Sequence, residues 1–133
     1  LYELFAQDVA NFLEENSGND HLRPFLEPLA AAVERLDDVT EHVIKQAGDN
    51  PNAIGAASVD YLDLFGLTAL GYMWAKIVKA AAPQADSDTS GFYSGKLKTA
   101  RFYFDRLLPK TVSLAEGIRS GSDSMMALTA EEF

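Results

Sequence analysis

The stretch from Ser58 to Ala82, SVDYLDLFGLTALGYMWAKIVKAAA, constrains the fold more than any other. It reads as one long helix that is apolar around most of its circumference. At 100° per residue, Val59, Leu62, Gly66, Ala69, Leu70, Met73 and Ile77 fall on one face. Leu64, Leu67, Gly71, Ala75 and Val78 fall on a second, with Trp74 between the two. Tyr61, Phe65 and Tyr72 form a third, aromatic stripe. A helix apolar on several sides is a central helix with partners on several sides. Gly66 and Gly71 would each cost roughly 1 kcal/mol relative to alanine in a helix interior. They lie about 140° apart around the axis, so two different neighbours are expected to approach closely. The longest run without a charge, Leu64 to Ala75, is shorter than the roughly 20 residues a bilayer requires, so no membrane span is expected.

A chain of 133 residues is read as one helical domain, 1–133, large enough for a core of its own. It contains no cysteine, which leaves no disulfide framework, thiolate metal site or cysteine nucleophile. That fits a reducing compartment, and a cytoplasmic location is expected. The chain opens on Leu1 rather than Met, and Leu1 to Leu13 lacks the basic start of a signal peptide. Leu1 therefore reads as an internal position of a longer protein. The net charge is −9. Residues 1–63 carry thirteen acids against Arg23, Arg35 and Lys45, while residues 64–133 carry seven acids and eight bases. This balance argues against nucleic-acid binding.

Taken in order, the first helix spans about Leu1 to Glu15, with Tyr2, Phe5, Val9 and Phe12 at helical spacing. Gly18 in the following turn is available for a left-handed cap. The second helix spans about Leu22 to Ala47. Its residues Leu22, Leu26, Leu29, Val33, Leu36, Thr40, Val43 and Ala47 alternate four-three, the seam of a left-handed bundle. Pro24 and Pro28 allow the regular helix to start as late as Glu27. The central helix follows, with Asn50, Asn52 and Ser58 each able to cap it and Pro83 expected to end it. A fourth helix is expected from Gly91 to Ser120, kinked but continuous at Pro109, with Gly121 as its C′ residue. The tail carries Thr129 three residues before Glu132, a weak capping-box pattern suited to one extra turn. The whole reads as an all-α, up-down-up-down four-helix bundle with a kinked last helix and a short C-terminal tail.

The chemistry-bearing residues form no catalytic constellation. A di-metal bundle needs Glu-x-x-His pairs, but the residues three before His21 and His42 are Gly18 and Val39. Asp38 and His42, four apart, read as a solvated ion pair. There is no Gly-x-Ser-x-Gly elbow and no phosphate loop. The fourth helix is more informative: residues 92–119 carry Lys96, Lys98, Arg101, Arg106, Lys110 and Arg119 against Asp105 and Glu116. Phe102 lies almost opposite the core face among Lys98, Thr99 and Arg106. An aromatic flanked by bases suits contact with a protein or a phosphorylated ligand. The plainer account pairs these bases with acids of the first two helices. Phe102 with Tyr61, Phe65 and Tyr72 is more aromatic surface than a free-standing bundle needs. The candidate interface is Tyr61, Phe65, Tyr72, Phe102 and Arg106.

The same residues carry a family resemblance. Tyr61-Leu62-x-x-Phe65-Gly66-x-x-x-Leu70-Gly71-Tyr72-x-Trp74 resembles the third helix of a module at the C-terminus of certain long acyl-CoA dehydrogenases. Phe92-Tyr93-x-x-Lys96-x-x-Thr99-Ala100-x-Phe102-x-Phe104-x-x-Leu107-Leu108-Pro109 resembles its fourth helix. Met126-Ala127-Leu128 and Phe133 resemble the family's ending. The branch includes the 3-methylmercaptopropionyl-CoA dehydrogenases. The resemblance implies a parent flavoenzyme that uses FAD to remove two hydrogens from the α and β carbons of an acyl-CoA substrate. In that family a glutamate base takes the α proton and flavin N5 takes the hydride, both in the core upstream of this module. No catalytic, cofactor-binding or metal-binding residue carries over to this chain. The implied role is accessory: packing on the upstream core, covering part of its site, or completing a homo-oligomer. Two other readings stand beside it: an independent helical interaction module, and contact with CoA phosphates through Lys96, Lys98, Arg101 or Arg106.

Overall fold

A computed structural model of the chain describes residues 2–133. Among them the helices are α1 (Tyr2–Glu15), α2 (Arg23–Asp49), α3 (Asn52–Ala85), α4 (Phe92–Arg106) and α5 (Lys110–Arg119), followed by one short 3₁₀ turn at Ala130–Glu132. No strand is present among the described residues, and the all-α reading holds.

α3 is the centre. It packs against α2, α4 and α5, and its aromatic stripe receives α1. The Phe5 ring lies 5.0 Å from that of Phe65, and Phe12 meets Tyr72 edge-on at 5.3 Å. The core divides into two clusters. One gathers Phe12, Leu22, Phe25, Leu29, Tyr72, Val78, Phe104 and Leu108. The other gathers Leu36, Val39, Ala57, Leu64, Ala115 and Ile118. The seam of α2 supplies both: Leu22, Leu29, Val33 and Leu36 are buried, whereas Thr40, Val43 and Ala47 are only half-buried.

Several boundaries differ from the sequence reading. α2 starts at Arg23, because Pro24 sits in the first turn, where its missing N–H loses no helical bond. Pro28 is carried inside the helix. Pro83 does not end α3, which runs on to Ala85. The carbonyl that Pro83 leaves unbonded belongs to Lys79, an exposed residue, where water can satisfy it. α3 starts at Asn52, with Asn50 Oδ1 accepting the Asn52 N–H at 3.0 Å. Gly18 does not adopt a left-handed conformation; the positive-φ glycines are Gly91 and Gly121. The end of α1 is closed instead by buried Asn16, whose Nδ2 donates to the Phe12 carbonyl at 2.7 Å.

The expected kink at Pro109 is a break. α4 ends at Arg106 and α5 begins at Lys110, with a turn between them. Proline cannot donate to the carbonyl four residues back, so the chain switches to tighter bonds such as Lys110 N–H to Leu107 O (3.1 Å). Buried Thr111 anchors the turn. Its hydroxyl donates to Leu108 O at 2.7 Å and accepts from Arg35 of α2 at 2.9 Å. Gly121 takes φ +73 beyond α5, and the buried Ser122 accepts a 2.7 Å bond from Asn50 Nδ2. In the tail, the Thr129 N–H donates to Glu132 Oε2 at 2.8 Å.

Candidate functional site

Much of the first apolar face of α3 is left exposed by the described residues. Val59 and Leu62 are each 70% exposed, Leu70 53% and Met73 43%. Gly66 lies in the middle of this face, and a Cβ placed on it would meet no atom within 4 Å. The expectation of two close neighbours is therefore met at one glycine. Leu108 approaches Gly71, with its Cδ1 3.1 Å from where a Cβ would sit, whereas no described residue comes within 4 Å of the same point on Gly66. The second face, Leu64, Gly71, Ala75 and Val78, is the buried one.

Three grooves border the open face. Between α3 and α5, Leu62, Gly66 and Leu70 run beside Lys110 and Leu114. Between α3 and α1, Leu70 and Met73 run beside exposed Leu4. The third lies between the end of α2 and the start of α3. It is the most apolar, ≈ 800 Å³, with Val43, Ile44 and Ala47 on one wall and Ile54, Ala57, Tyr61, Leu62 and Phe65 on the other. Its polar groups are already occupied: Thr40 Oγ1 and Tyr61 Oη share a 2.8 Å hydrogen bond, and Ser58 Oγ donates to Gly55 O at 2.9 Å.

The five candidate interface residues separate. Tyr72 is buried against Phe5 and Phe12, with Lys76 Nζ 5.1 Å from its ring centroid. Tyr61 and Phe65 are half-buried and line the α2–α3 groove. Phe102, 57% exposed, and Arg106 lie on the outer side of α4. Neither of these last two lines the grooves bordered by Tyr61, Phe65 and Tyr72. The outward residues Val59, Leu62, Leu70 and Met73 are not among the candidates that the sequence offers, because periodicity groups an apolar face without saying what covers it.

The bases of α4 and α5 mostly do not pair with the first two helices. Arg101 bonds weakly to Asp105 one turn on, at 3.8 Å, and stacks over Phe25 at 5.0 Å. Lys96 lies over Phe92. Among the described residues Arg119 alone crosses to α2, reaching Asp38 at 3.6 Å while holding Glu116 at 2.8 Å. Asp38 thus pairs with Arg119 and not with His42. Among the described residues Lys98, Arg106 and Lys110 make no ion pair.

Three groups titrate away from their ordinary ranges. Burial raises Tyr103 to about 12, and its hydroxyl donates to Leu67 O at 2.7 Å. Burial, with Glu41 and Asp38 nearby, raises Asp37, which accepts a hydrogen bond from the Tyr2 hydroxyl. Hydrogen bonds from the Ser90 side chain and from the Tyr93 and Ser90 backbone lower Asp88. All three belong to the scaffold. Every buried side-chain polar atom among the described residues has a partner. By length and composition α3 could also cross a membrane, against the sequence expectation. One side of it is committed to the bundle core, and Asp60, Asp63, Lys76 and Lys79 punctuate the rest.

Fold and surface together define an all-α domain with one apolar side left uncovered. The chain belongs to the family described as "Acetyl-CoA dehydrogenase C-terminal like", whose model matches residues 5–129. No curated protein matches the chain.

Proposed function

We propose that the chain is the accessory C-terminal domain of an FAD-dependent acyl-CoA dehydrogenase, and that the outward face of α3 packs against the rest of that enzyme. The observation that carries this reading is the open Gly66 between exposed Leu62 and Leu70. A helix interior keeps a glycine at a cost of about 1 kcal/mol, and close approach of another backbone is the usual return for it. Four large apolar side chains beside it make a patch that a lone domain would not leave in water. Family membership supports the parent enzyme. We place the parent in the cytoplasm, as a homo-oligomer of the 3-methylmercaptopropionyl-CoA dehydrogenase branch. Within the domain we read an up-down-up-down path, supported by the pairing of Thr40 with Tyr61 and of Leu29 with Gly71 on antiparallel α2 and α3.

In this role the domain contributes no group to the oxidation. The parent's core would bind FAD and acyl-CoA and carry the base. A second reading, an independent interaction module, is favoured by Phe102 and Arg106, which are exposed together on α4 away from the α3 face. Isolation of the natural protein with an antibody to this chain separates the two. A yellow, flavin-containing product several times larger than 14.5 kDa is expected. A colourless product of this size would overturn the dehydrogenase reading in favour of the module.

A further inference from the structure

α1 is 14 residues long, while its neighbours α2 and α3 have 27 and 34. Most of the mismatch falls at the end of α1 that holds Tyr2. Tyr2, the first described residue of α1, touches Asp37 of α2 and lies 6.3 Å ring to ring from Phe65 of α3. From Asp37 to the end of α2 at Asp49, and from Phe65 back to the start of α3 at Asn52, both walls run on for about 18–20 Å. The space between them is the apolar groove of ≈ 800 Å³.

The other side of α3 is covered along the same length. Phe65 and Leu67 lie about 200° apart around the helix, so α1 and α4–α5 take opposite sides. On the α5 side the cover reaches Asp60, whose Oδ2 lies 2.8 Å from where a Cβ on Gly117 would sit, and then Ala57, which is buried in the same cluster as Ala115 and Ile118. On the α1 side the cover given by the described residues reaches Phe65. The heptad seam of α2 runs past this point: Thr40, Val43 and Ala47 keep the four-three alternation, yet they are only half-buried. A seam that stays apolar in sequence is built to meet a helix along its whole length. The polar groups in the groove are already hydrogen-bonded to each other or to backbone, so it offers apolar contact and little else.

We propose that this groove is the seat of a helical segment of about ten residues that enters in line with α1, the part of the parent polypeptide immediately preceding Leu1. Its apolar positions would continue the spacing of Tyr2, Phe5, Val9 and Phe12 backwards, resting on Val43, Ala47, Ile54 and Ala57. One helix would then run unbroken from the upstream part of the enzyme into this domain, and the connection would be stiff rather than a flexible linker. The proposal rests on the reading of the chain as the C-terminal part of a longer polypeptide.

The test uses the full natural polypeptide with Ile54, and separately Ile44, replaced by the photo-reactive residue p-benzoylphenylalanine. Both positions are exposed within this chain, so the fold tolerates the change. After irradiation and digestion, the cross-linked peptide is expected to be the one that ends just before Leu1, within the same molecule. The same probe at Val112, exposed on α5, is expected not to reach that peptide. Cross-links from Ile54 and Ile44 to any other segment or to a second copy would overturn the proposal, as would none at all or a natural chain lacking a preceding segment. Flavin content of the same preparation reports on the dehydrogenase reading separately: a yellow protein with the wrong cross-link would sink this inference alone.

Discussion

Leu108 seats its Cδ1 against the backbone of Gly71, 3.1 Å from where a Cβ would be. The contact joins the turn that separates α4 from α5 to the middle of α3, and Leu29 of α2 closes the same spot at 3.7 Å. Gly71→Leu has nowhere to go and is expected to destabilise the domain by about 1–3 kcal/mol or more through overpacking. Gly66→Ala meets open space and is expected to raise the stability of the separate domain by about 1 kcal/mol. Urea denaturation of the two variants should move the midpoint in opposite directions. If both lower it, Gly66 is not open.

Leu62→Asp with Leu70→Asp tests the open face. Both side chains are more than half exposed, so each change should alter the separate domain's stability by roughly 0.5 kcal/mol. In the parent enzyme the same pair should loosen the domain, read as faster limited proteolysis at its boundary. Unchanged proteolysis would remove this face as a contact.

Tyr103→Phe deletes the 2.7 Å hydrogen bond to Leu67 O and should cost about 1 kcal/mol at neutral pH. The native tyrosine also sets an alkaline limit. Its folded value, about 12, lies above the ordinary 10.0 because burial penalises the phenolate. Its contribution is fully present below pH 10 and is lost as the pH rises towards 12. Stability measured against pH should fall through this window in the native protein, and the fall should be smaller in Tyr103→Phe.

Asp37 gives the same kind of test at the acid end of the scale. Its folded value is raised by burial and by Glu41 and Asp38, so the fold favours the neutral acid. That favourable contribution is present below the ordinary value of 3.8 and is lost as the pH rises through the raised one. Asp37→Asn keeps an acceptor for the Tyr2 hydroxyl and removes the charge. It should therefore stabilise the domain at neutral pH, with the advantage vanishing below pH 3.8. A destabilised variant at neutral pH would show that the charged hydrogen bond outweighs the repulsion.

Thr111→Val tests the anchor of the α4–α5 turn. Thr111 is fully buried, and its hydroxyl serves both Leu108 O and Arg35. Losing it takes this acceptor from Arg35, while Leu108 O keeps the Thr111 N–H, at a cost of about 1–3 kcal/mol. Thermal unfolding should show a clear drop, whereas Ser113→Ala, on an exposed residue nearby, should show almost none.

Local physics made most of the helices legible. The spacing of Tyr2, Phe5, Val9 and Phe12 and the seam from Leu22 to Ala47 depend only on helix geometry, and both helices appear within two residues of the expected bounds. The prolines were harder to read. Pro109 breaks its helix while Pro83 does not, although both remove one hydrogen bond. The unbonded carbonyl behind Pro83 belongs to an exposed residue, whereas at Pro109 a buried threonine rewards the turn. That difference lies in residues distant along the chain, Arg35 among them.

The candidate surface was legible in outline and misplaced in detail. Three apolar stripes on α3 and two glycines were visible in the sequence, with the inference that more neighbours were needed than one bundle supplies. Tyr72, a candidate interface residue, is buried by α1, while Val59, Leu62, Leu70 and Met73, which are not among the candidates, face outward. Periodicity fixes which residues of a helix share a face, because that follows from 100° per residue and nothing else. Which face meets α1, which meets α4 and α5, and which meets neither depends on how the helices pack. Only the tertiary structure could decide that Gly71 is filled by Leu108 and Gly66 is left open.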